Sequence, residues 1–406
     1  MTDASSLPII DIEALGLDEG ALLLVRRALA ERAPGAELGV TGRALGWSTH
    51  LAAWCRSQGH ALRLDEQRDG HLVAWITRGA QAEGRWRGAQ ATGHARLGVG
   101  LGPEAEAPGS WGLAARGATV EAGSPPFAFA LHRRDELWAA TAGELYAQAA
   151  AAQWDPATAV DWSTPFELPA AVEAAVVQVM TYLIENENAA LLVPARHLGQ
   201  VHPHYREVMQ LLALQCADEA RHVEVFTRRA MHKGREPALS TAGGQASLRT
   251  LFEAKDFSQA TFLLSVLGEG SFVNLLNFLH EHAPDPITRQ ICRLAARDEA
   301  RHVAFGMAHL EHRVAVQPEV QTRLRNAVEQ RFDELANTAG LNEEVFDALV
   351  LLAAGELRPD AVARGHAAVQ TLKREMAAGR KARLTRLGFG AAEAERLAEL
   401  HTRNFM

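Results

Sequence analysis

Asp298-Glu299-Ala300-Arg301-His302-Val303 repeats without change a hexapeptide that also stands at Asp218-Glu219-Ala220-Arg221-His222-Val223. Each copy lies inside a long stretch of helical hydrophobic spacing. A Glu and a His three apart on an α-helix point the same way, so Glu219 with His222, and Glu299 with His302, can each offer one carboxylate and one imidazole to a common point. Two such pairs on two helices are half of a dinuclear metal site in a four-helix bundle. A lone Asp-Glu-x-Arg would read as a solvated salt-bridge face; an identical second copy argues against that reading.

Such a site also needs one inward Glu from each of the two remaining helices. Val176 to Leu192 reads as a helix started by Pro169, and Glu187 has Leu183, Ile184, Ala190 and Leu191 at i−4, i−3, i+3 and i+4, which places it on the apolar face. Glu185, with Thr181, Tyr182, Asn188 and Ala189 at the same offsets, is the more exposed and the weaker candidate. Glu269 is a lone carboxylate in the apolar run Phe262–Leu279. A charge there costs several kcal/mol unless it is paired or bound to metal.

Depth along the helices gives an independent check. Glu187 lies about 12 residues before the turn near Gly199 and Glu219 about 15 after His204, so both stand about 20 Å from that turn at 1.5 Å per residue. Glu269 and Glu299 lie about 14 and 13 residues either side of the Ala283-Pro284-Asp285-Pro286 turn, so all four carboxylates can reach one level. Gly234 to Lys255 is too long for a tight turn and reads as a crossover between two helical hairpins. Cys216 and Cys292 fall near the same faces, but free Cys is commonly core, and they are expected to pack rather than ligate. His197, His202 and His204 are expected at the surface of the first hairpin turn.

The order Glu187, Glu219-x-x-His222, Glu269, Glu299-x-x-His302 resembles the ferritin-like di-iron carboxylate oxygenases and oxidases. Asp-Glu-x-Arg-His in both halves is closest to the bacterial multicomponent monooxygenases and the related N-oxygenases, over roughly Trp154 to Val316. The resemblance implies an all-α ferritin-like four-helix bundle in which those six residues hold two Fe ions, or Mn and Fe, with O2 as co-substrate. It further implies that Asp218 orients His302, that Asp298 orients His222, and that Arg221 and Arg301 balance the charge. A metal-bound imidazole needs such an acceptor on its other nitrogen. The chain departs from the pattern at two positions. Phe226 stands where the radical-generating reductase subunits have Tyr, and Val273 where toluene and methane monooxygenases have Thr. The expected activity is O2-dependent oxidation of a small organic substrate, with electrons from an external ferredoxin or reductase; the alternative is a ferroxidase or iron-handling protein using the same ligands.

The 406 residues allow two domains. A net charge of −8 leaves no basic stripe for nucleic acid. No N-terminal signal-like segment and no apolar run of transmembrane length is apparent, and three cysteines outside any metal or redox spacing suit a reducing cytoplasm. All eight Trp precede residue 163, which marks a change of domain. Residues 1–78 alternate strand (8–12), helix (20–32), strand (35–41), helix (48–58) and strands (60–64 and 72–77), which makes a small α/β two-layer sandwich. Glu13-Ala14-Leu15-Gly16-Leu17, Leu24-Val25-Arg26-Arg27 and Ala53-Trp54-Cys55-Arg56-Ser57-Gln58-Gly59-His60 resemble TusA-type sulfur carriers. That family works through a Cys-Pro-x-Pro at its first helix, where this chain has Asp18-Glu19-Gly20-Ala21. Cys55 reads as core, so the domain is expected to be a non-catalytic module for docking or homodimer formation. Residues 79–134 read as a Gly/Ala-rich linker with an irregular hairpin, and Asp135 to Gln153 as one helix that opens a bundle spanning 135–340. Residues 341–406 read as C-terminal helices that pack on the bundle without chemistry of their own, with helix stops at Gly340, Pro359 and Gly388.

Overall fold

A computed structural model describes residues 7–66, 71–80, 86–97, 102–335 and 343–401. The chain divides into two units, Met1–Thr92 with Gly117–Pro125, and Gly93–Arg116 with Pro126–Met406.

In the first unit, β1 (Ile9–Asp11), α1 (Ala21–Ala30), β2 (Glu37–Thr41), α2 (Trp47–Ser57), β3 (Ala61–Glu66) and β4 (Leu72–Thr77) form a four-stranded sheet of order β1-β2-β4-β3 with two helices. β1 runs parallel to β2, with Ile9 opposite Gly39; β4 lies antiparallel to both β2 and β3. Each helix buries a stripe spaced by four residues, Ala21, Val25 and Leu29 on α1, and Trp47, Leu51 and Cys55 on α2. These stripes share a core with Leu38, Val40, Ala74 and Ile76 of the sheet. Cys55 is fully buried, and burial pushes its thiol up to about 11. Persulfide labelling of the native protein is therefore expected to leave Cys55 unmodified, with reaction only after denaturation; a persulfide at Cys55 in the folded protein would make this unit a sulfur carrier.

The described part of residues 79–134 is divided between the two units. β5 (Gln90–Ala91) pairs with β6 (Thr119–Val120) in the first. In the second, Arg116 pairs with both carboxylate oxygens of Glu207 at 2.9 and 2.6 Å, and the Tyr205 hydroxyl lies 3.1 Å from the Glu104 carbonyl. Irregular backbone anchored by side chains in this way carries no periodic signal, which is why composition alone reads it as a linker.

The second unit is helical. The segment expected as one helix, Asp135 to Gln153, is broken at Trp138, whose backbone is extended, into α3 (Arg134–Leu137) and α4 (Ala142–Ala151). The bundle helices are α5 (Ala170–Leu198), α6 (Arg206–Ala230), α8 (Phe257–Glu281) and α9 (Pro286–Val316), and the crossover contains a further helix, α7 (Ala242–Phe252). Asp256 and Asp285 cap α8 and α9 by accepting from the N–H of Gln259 and Thr288, both at 2.8 Å. Arg229, fully buried on α6, binds Glu173 of α5 and Asp285 at 2.8 Å each, which locks three bundle helices in register below the hexapeptides. One correction concerns α8. By length and composition it could cross a membrane, contrary to the reading of no such run, yet 83% of its most apolar window is buried. It is the core helix of the bundle, apolar on every side because other helices surround it.

α10 (Val320–Leu335), α11 (Glu343–Ala354), α12 (Pro359–Arg386) and α13 (Ala391–His401) complete the unit, with α11 packed on α5 and α12 on α8. The helix stop expected at Gly340 lies outside the described residues.

Candidate metal centre

α5 contributes Glu187, α6 Glu219 and His222, α8 Glu269, and α9 Glu299 and His302; all six are buried, with at most 4% of their surface exposed. They form two groups, Glu187, Glu219, His222 and Glu299, and Glu219, Glu269, Glu299 and His302, within each of which one ligand atom per residue lies within 4.8 Å of the others. Glu219 and Glu299 belong to both. The His222 Nδ1 faces Glu219, Glu187 and Glu299 oxygens at 3.1, 3.6 and 3.6 Å, and the His302 Nδ1 faces Glu219 and Glu299 at 3.0 and 3.4 Å. Glu185 is half-buried and belongs to neither group.

Both imidazoles turn the other nitrogen outward. The His302 Nε2 meets Asp218 and the His222 Nε2 meets Asp298, each at 3.3 Å and each across the two hairpins. Arg221 contacts Asp218 closely and reaches Asp298 at 3.3 Å, while Arg301 contacts Asp298 closely and reaches Asp218 at 3.8 Å. Two aspartates and two arginines therefore cancel, which leaves four inner carboxylates with no cation of their own.

That imbalance is visible in the ionisation of the site. Burial, reinforced by the neighbouring Glu219 and Glu299 charges, pushes both Glu187 and Glu269 well above the ordinary carboxylate range. Burial would depress His222 and His302, but the surrounding carboxylates outweigh it and hold both well above the ordinary imidazole value. Every one of these shifts recruits a proton, so the pocket is short of positive charge. Buried oxygens of Glu187, Glu219, Glu269 and Glu299, and the Nδ1 of His302, lack a hydrogen-bond partner; the 3.0 Å approach of His302 to Glu219 is not aligned as a bond. Once those protons leave, four carboxylates and two imidazoles offer lone pairs that match two divalent ions of the iron and manganese type in both charge and ligand chemistry.

Several supporting residues escaped the sequence. The Trp154 indole donates to Asp298 at 2.8 Å and lies under the Arg221 guanidinium at 4.7 Å, while Gln153 donates to Asp218 at 2.9 Å and accepts from Arg221 at 2.7 Å. The segment before α5 thus covers the aspartate–arginine layer. Gln215, one turn before Glu219, donates to Glu269 at 3.0 Å. Only the helical offset from Glu219 could have flagged it.

Phe262–Glu269 winds as a π-helix that ends on Glu269 itself. Such a stretch rotates the residues beyond it and leaves carbonyls poorly matched to N–H donors, and it occurs often at functional sites. Here the C-terminal helices, expected to carry no chemistry, brace the part of α8 that presents Glu269. From α12, the Arg383 Nε donates to the Val266 carbonyl at 2.6 Å, and Arg380 donates to the Ser271 hydroxyl at 2.8 Å. Gly270 makes room, since a Cβ there would lie 2.6 Å from the Arg383 Nε. On the other side, Gly306 lets α9 approach the π stretch, where a Cβ would lie 2.6 Å from that of Ser265. Arg383→Met is expected to loosen Glu269 and weaken metal retention about 10-fold, the low end for partners of metal ligands, with partial recovery in Arg383→Lys. Unchanged retention during dialysis against a chelator would make Arg383 a packing residue only.

The histidines of the first hairpin turn are buried, not surface residues: His197, His202 and His204 are each at most 4% exposed. The His204 Nε2 accepts from the Glu104 N–H at 3.0 Å, and burial, aided by the Arg116 charge, brings His204 down to about 4. They miss the metal groups and serve as neutral hydrogen-bonding core. Cys292 is buried and Cys216 half-buried, its thiol raised to about 11 by burial, and neither belongs to a metal group.

No protein-family profile and no curated protein matches the chain. Solved structures do. A point variant of an R2-like ligand-binding oxidase with an aerobically reconstituted Mn/Fe cofactor matches with a TM-score of 0.48 and 17% identity, over 60% of this chain and 93% of that one. Another variant, with an Fe/Fe cofactor, gives 0.47 and 17% over 60% and 92%. A protein with aldehyde deformylating oxidase activity from Synechococcus gives 0.41 and 18% over 59% and 98%. At these values the case for chemistry rests on this chain's own residues.

Proposed function

We propose that this chain is a non-haem di-iron, or manganese–iron, oxidoreductase that uses O2 to oxidise a small organic substrate. The observation that carries the reading is the pair of ligand groups sharing Glu219 and Glu299. Glu187 and His222 would hold one ion and Glu269 and His302 the other, with Glu219 and Glu299 available to both. When bound, the two ions supply one-electron redox steps and the reduction of O2.

The chain's own residues set the conditions. Asp298 and Asp218 hold a proton on the outward Nε2 of His222 and His302, so that it is the inward Nδ1 of each that would give up its proton and offer a lone pair to an ion. Burial works to raise Asp298, but the His222 contact and charge, the Trp154 indole and Arg301 hold it below the usual carboxylate range. It therefore stays an acceptor. Phe226, fully buried beside the His222 ring at 6.2 Å, closes that side with a side chain that cannot store a phenoxyl radical. Electrons are expected from a ferredoxin or reductase.

Metal analysis of the purified protein is expected to return about two transition-metal ions per chain, and the reduced protein is expected to consume O2 faster in the presence of its substrate. One zinc per chain would overturn the reading. Iron oxidation and accumulation without turnover of any organic substrate would favour an iron-handling protein.

A further inference from the structure

Away from the metal ligands, a cavity of about 450 Å³ opens where α5 ends, α8 begins and α9 ends. Along α8 it lies about 16 Å from Glu269, counted at 1.5 Å per residue from Ser258. In a chain of net charge −8, four cations line it, Arg196, Lys255, Arg313 and Arg323, against two carboxylates, Glu136 and Asp256. Asp256 is already engaged, capping α8 and pairing with Arg323 at 3.3 Å. Arg196 spends its guanidinium on the carbonyls of Phe252 and Ala254 and on the His197 ring, so its charge meets no carboxylate among the described residues.

Arg313 is the decisive residue. It is 6% exposed, yet its Nε and Nη1 have no hydrogen-bond partner. The carboxylate facing it, Asp135, stands 3.7 Å away and is shared with Arg133 through both oxygens at 3.3 Å. Those two nitrogens have almost no accessible surface, so what Arg313 offers the cavity is a positive charge that the shared Asp135 offsets only in part. The start of α8 adds the positive end of a helix that continues to Glu281, with Ser258 of its first turn on the cavity wall. Burial holds His197 and His309, the latter 3.1 Å from the Ser258 hydroxyl, below the ordinary imidazole value, so both remain neutral and bonded within the wall. The remaining lining includes Leu131, Ala254 and Phe257, and the volume is that of a small-molecule site rather than of a bare ion.

We infer that this cavity binds a small organic molecule by its oxyanion head, a phosphate or a carboxylate held by the charges of Arg313, Arg196 and Lys255. The apolar side of the lining takes the rest of the molecule. The site is separate from the metal centre, and its occupant need not be the oxidised substrate.

Calorimetric titration of the full-length, metal-loaded protein with inorganic phosphate and with acetate, at constant ionic strength in chloride, tests this. Saturable binding of one of them is expected in the millimolar range, and the tighter one identifies the head group. Arg313→Gln is expected to weaken that binding about 10-fold, through the loss of the most deeply buried positive charge on the lining. Lys255→Ala, at an exposed position, is expected to weaken it about 3-fold by removing attraction across the cavity mouth. Metal content, measured on the same samples, is expected to stay constant in both variants, which separates this site from the metal reading. The inference is overturned if neither anion saturates below about 50 mM, or if both variants bind as the native protein does. Should Arg313→Gln fail to fold, Lys255→Ala and Arg196→Gln decide, with unchanged affinity in both as the refuting result.

Discussion

Glu219→Ala and Glu299→Ala are each expected to strip both metal ions, because each residue belongs to both ligand groups and its removal damages two coordination spheres at once. The loss of affinity should exceed the roughly 10–100-fold typical of partners outside the ligand set. Glu187→Gln and Glu269→Gln should differ in a telling way. Both carboxyls are raised by burial and by neighbouring carboxylates, so a neutral isostere removes a charge that the metal-free fold resists. The metal-free variants should therefore melt no lower than the metal-free parent while retaining less metal.

The same shifts fix the pH response. Groups whose folded values are raised contribute stability that is fully present below their unfolded values, from 4.5 for the two glutamates and 6.5 for the two histidines, and that is lost as pH rises through the higher folded values. The metal-free protein should lose stability as pH rises from about 5. The metal-loaded protein should gain relative to it over the same range, since protons must leave for the ions to bind. Thermal melts of both forms across pH check this; parallel curves would show that the carboxylate cluster does not trade protons for metal.

Asp218→Asn and Asp298→Asn carry the second large effect, a weakening of metal binding or turnover of about 10–100-fold with the fold retained. Asn preserves shape but replaces a charged acceptor facing an imidazole nitrogen at 3.3 Å with a neutral amide. It also leaves Arg221 and Arg301 with half of their counter-charge. Asp298→Asn should be the more damaging, because Asp298 additionally accepts from the Trp154 indole and Arg221 stacks on that ring. Native-like metal content and activity in both variants would reduce this layer to a structural salt-bridge network.

The sequence by itself brought the six ligand candidates and their pairing into view, because helical geometry converts a three-residue spacing into a shared direction and a fixed rise into a common depth. It likewise placed the strands and helices of the first unit, whose helices bury residues spaced by four and whose strands are short apolar runs between Gly and polar turns. Only the tertiary structure decided what depends on contacts between distant segments. Trp154 and Gln153 meet aspartates on α6 and α9 through a segment without periodicity; α8 leaves α-helical winding for a π stretch whose carbonyl is met by Arg383, more than a hundred residues away in the chain. The turn histidines read as surface because they stand far from the carboxylate level, yet imidazoles kept neutral by burial fit a core in which His204 accepts from the Glu104 N–H and His202 from the His204 N–H. Arg313 sits in an ordinary amphipathic pattern. That it lines a cavity, with Asp135 already engaged by Arg133, is a property of three helix ends brought together, and no local rule of sequence encodes it.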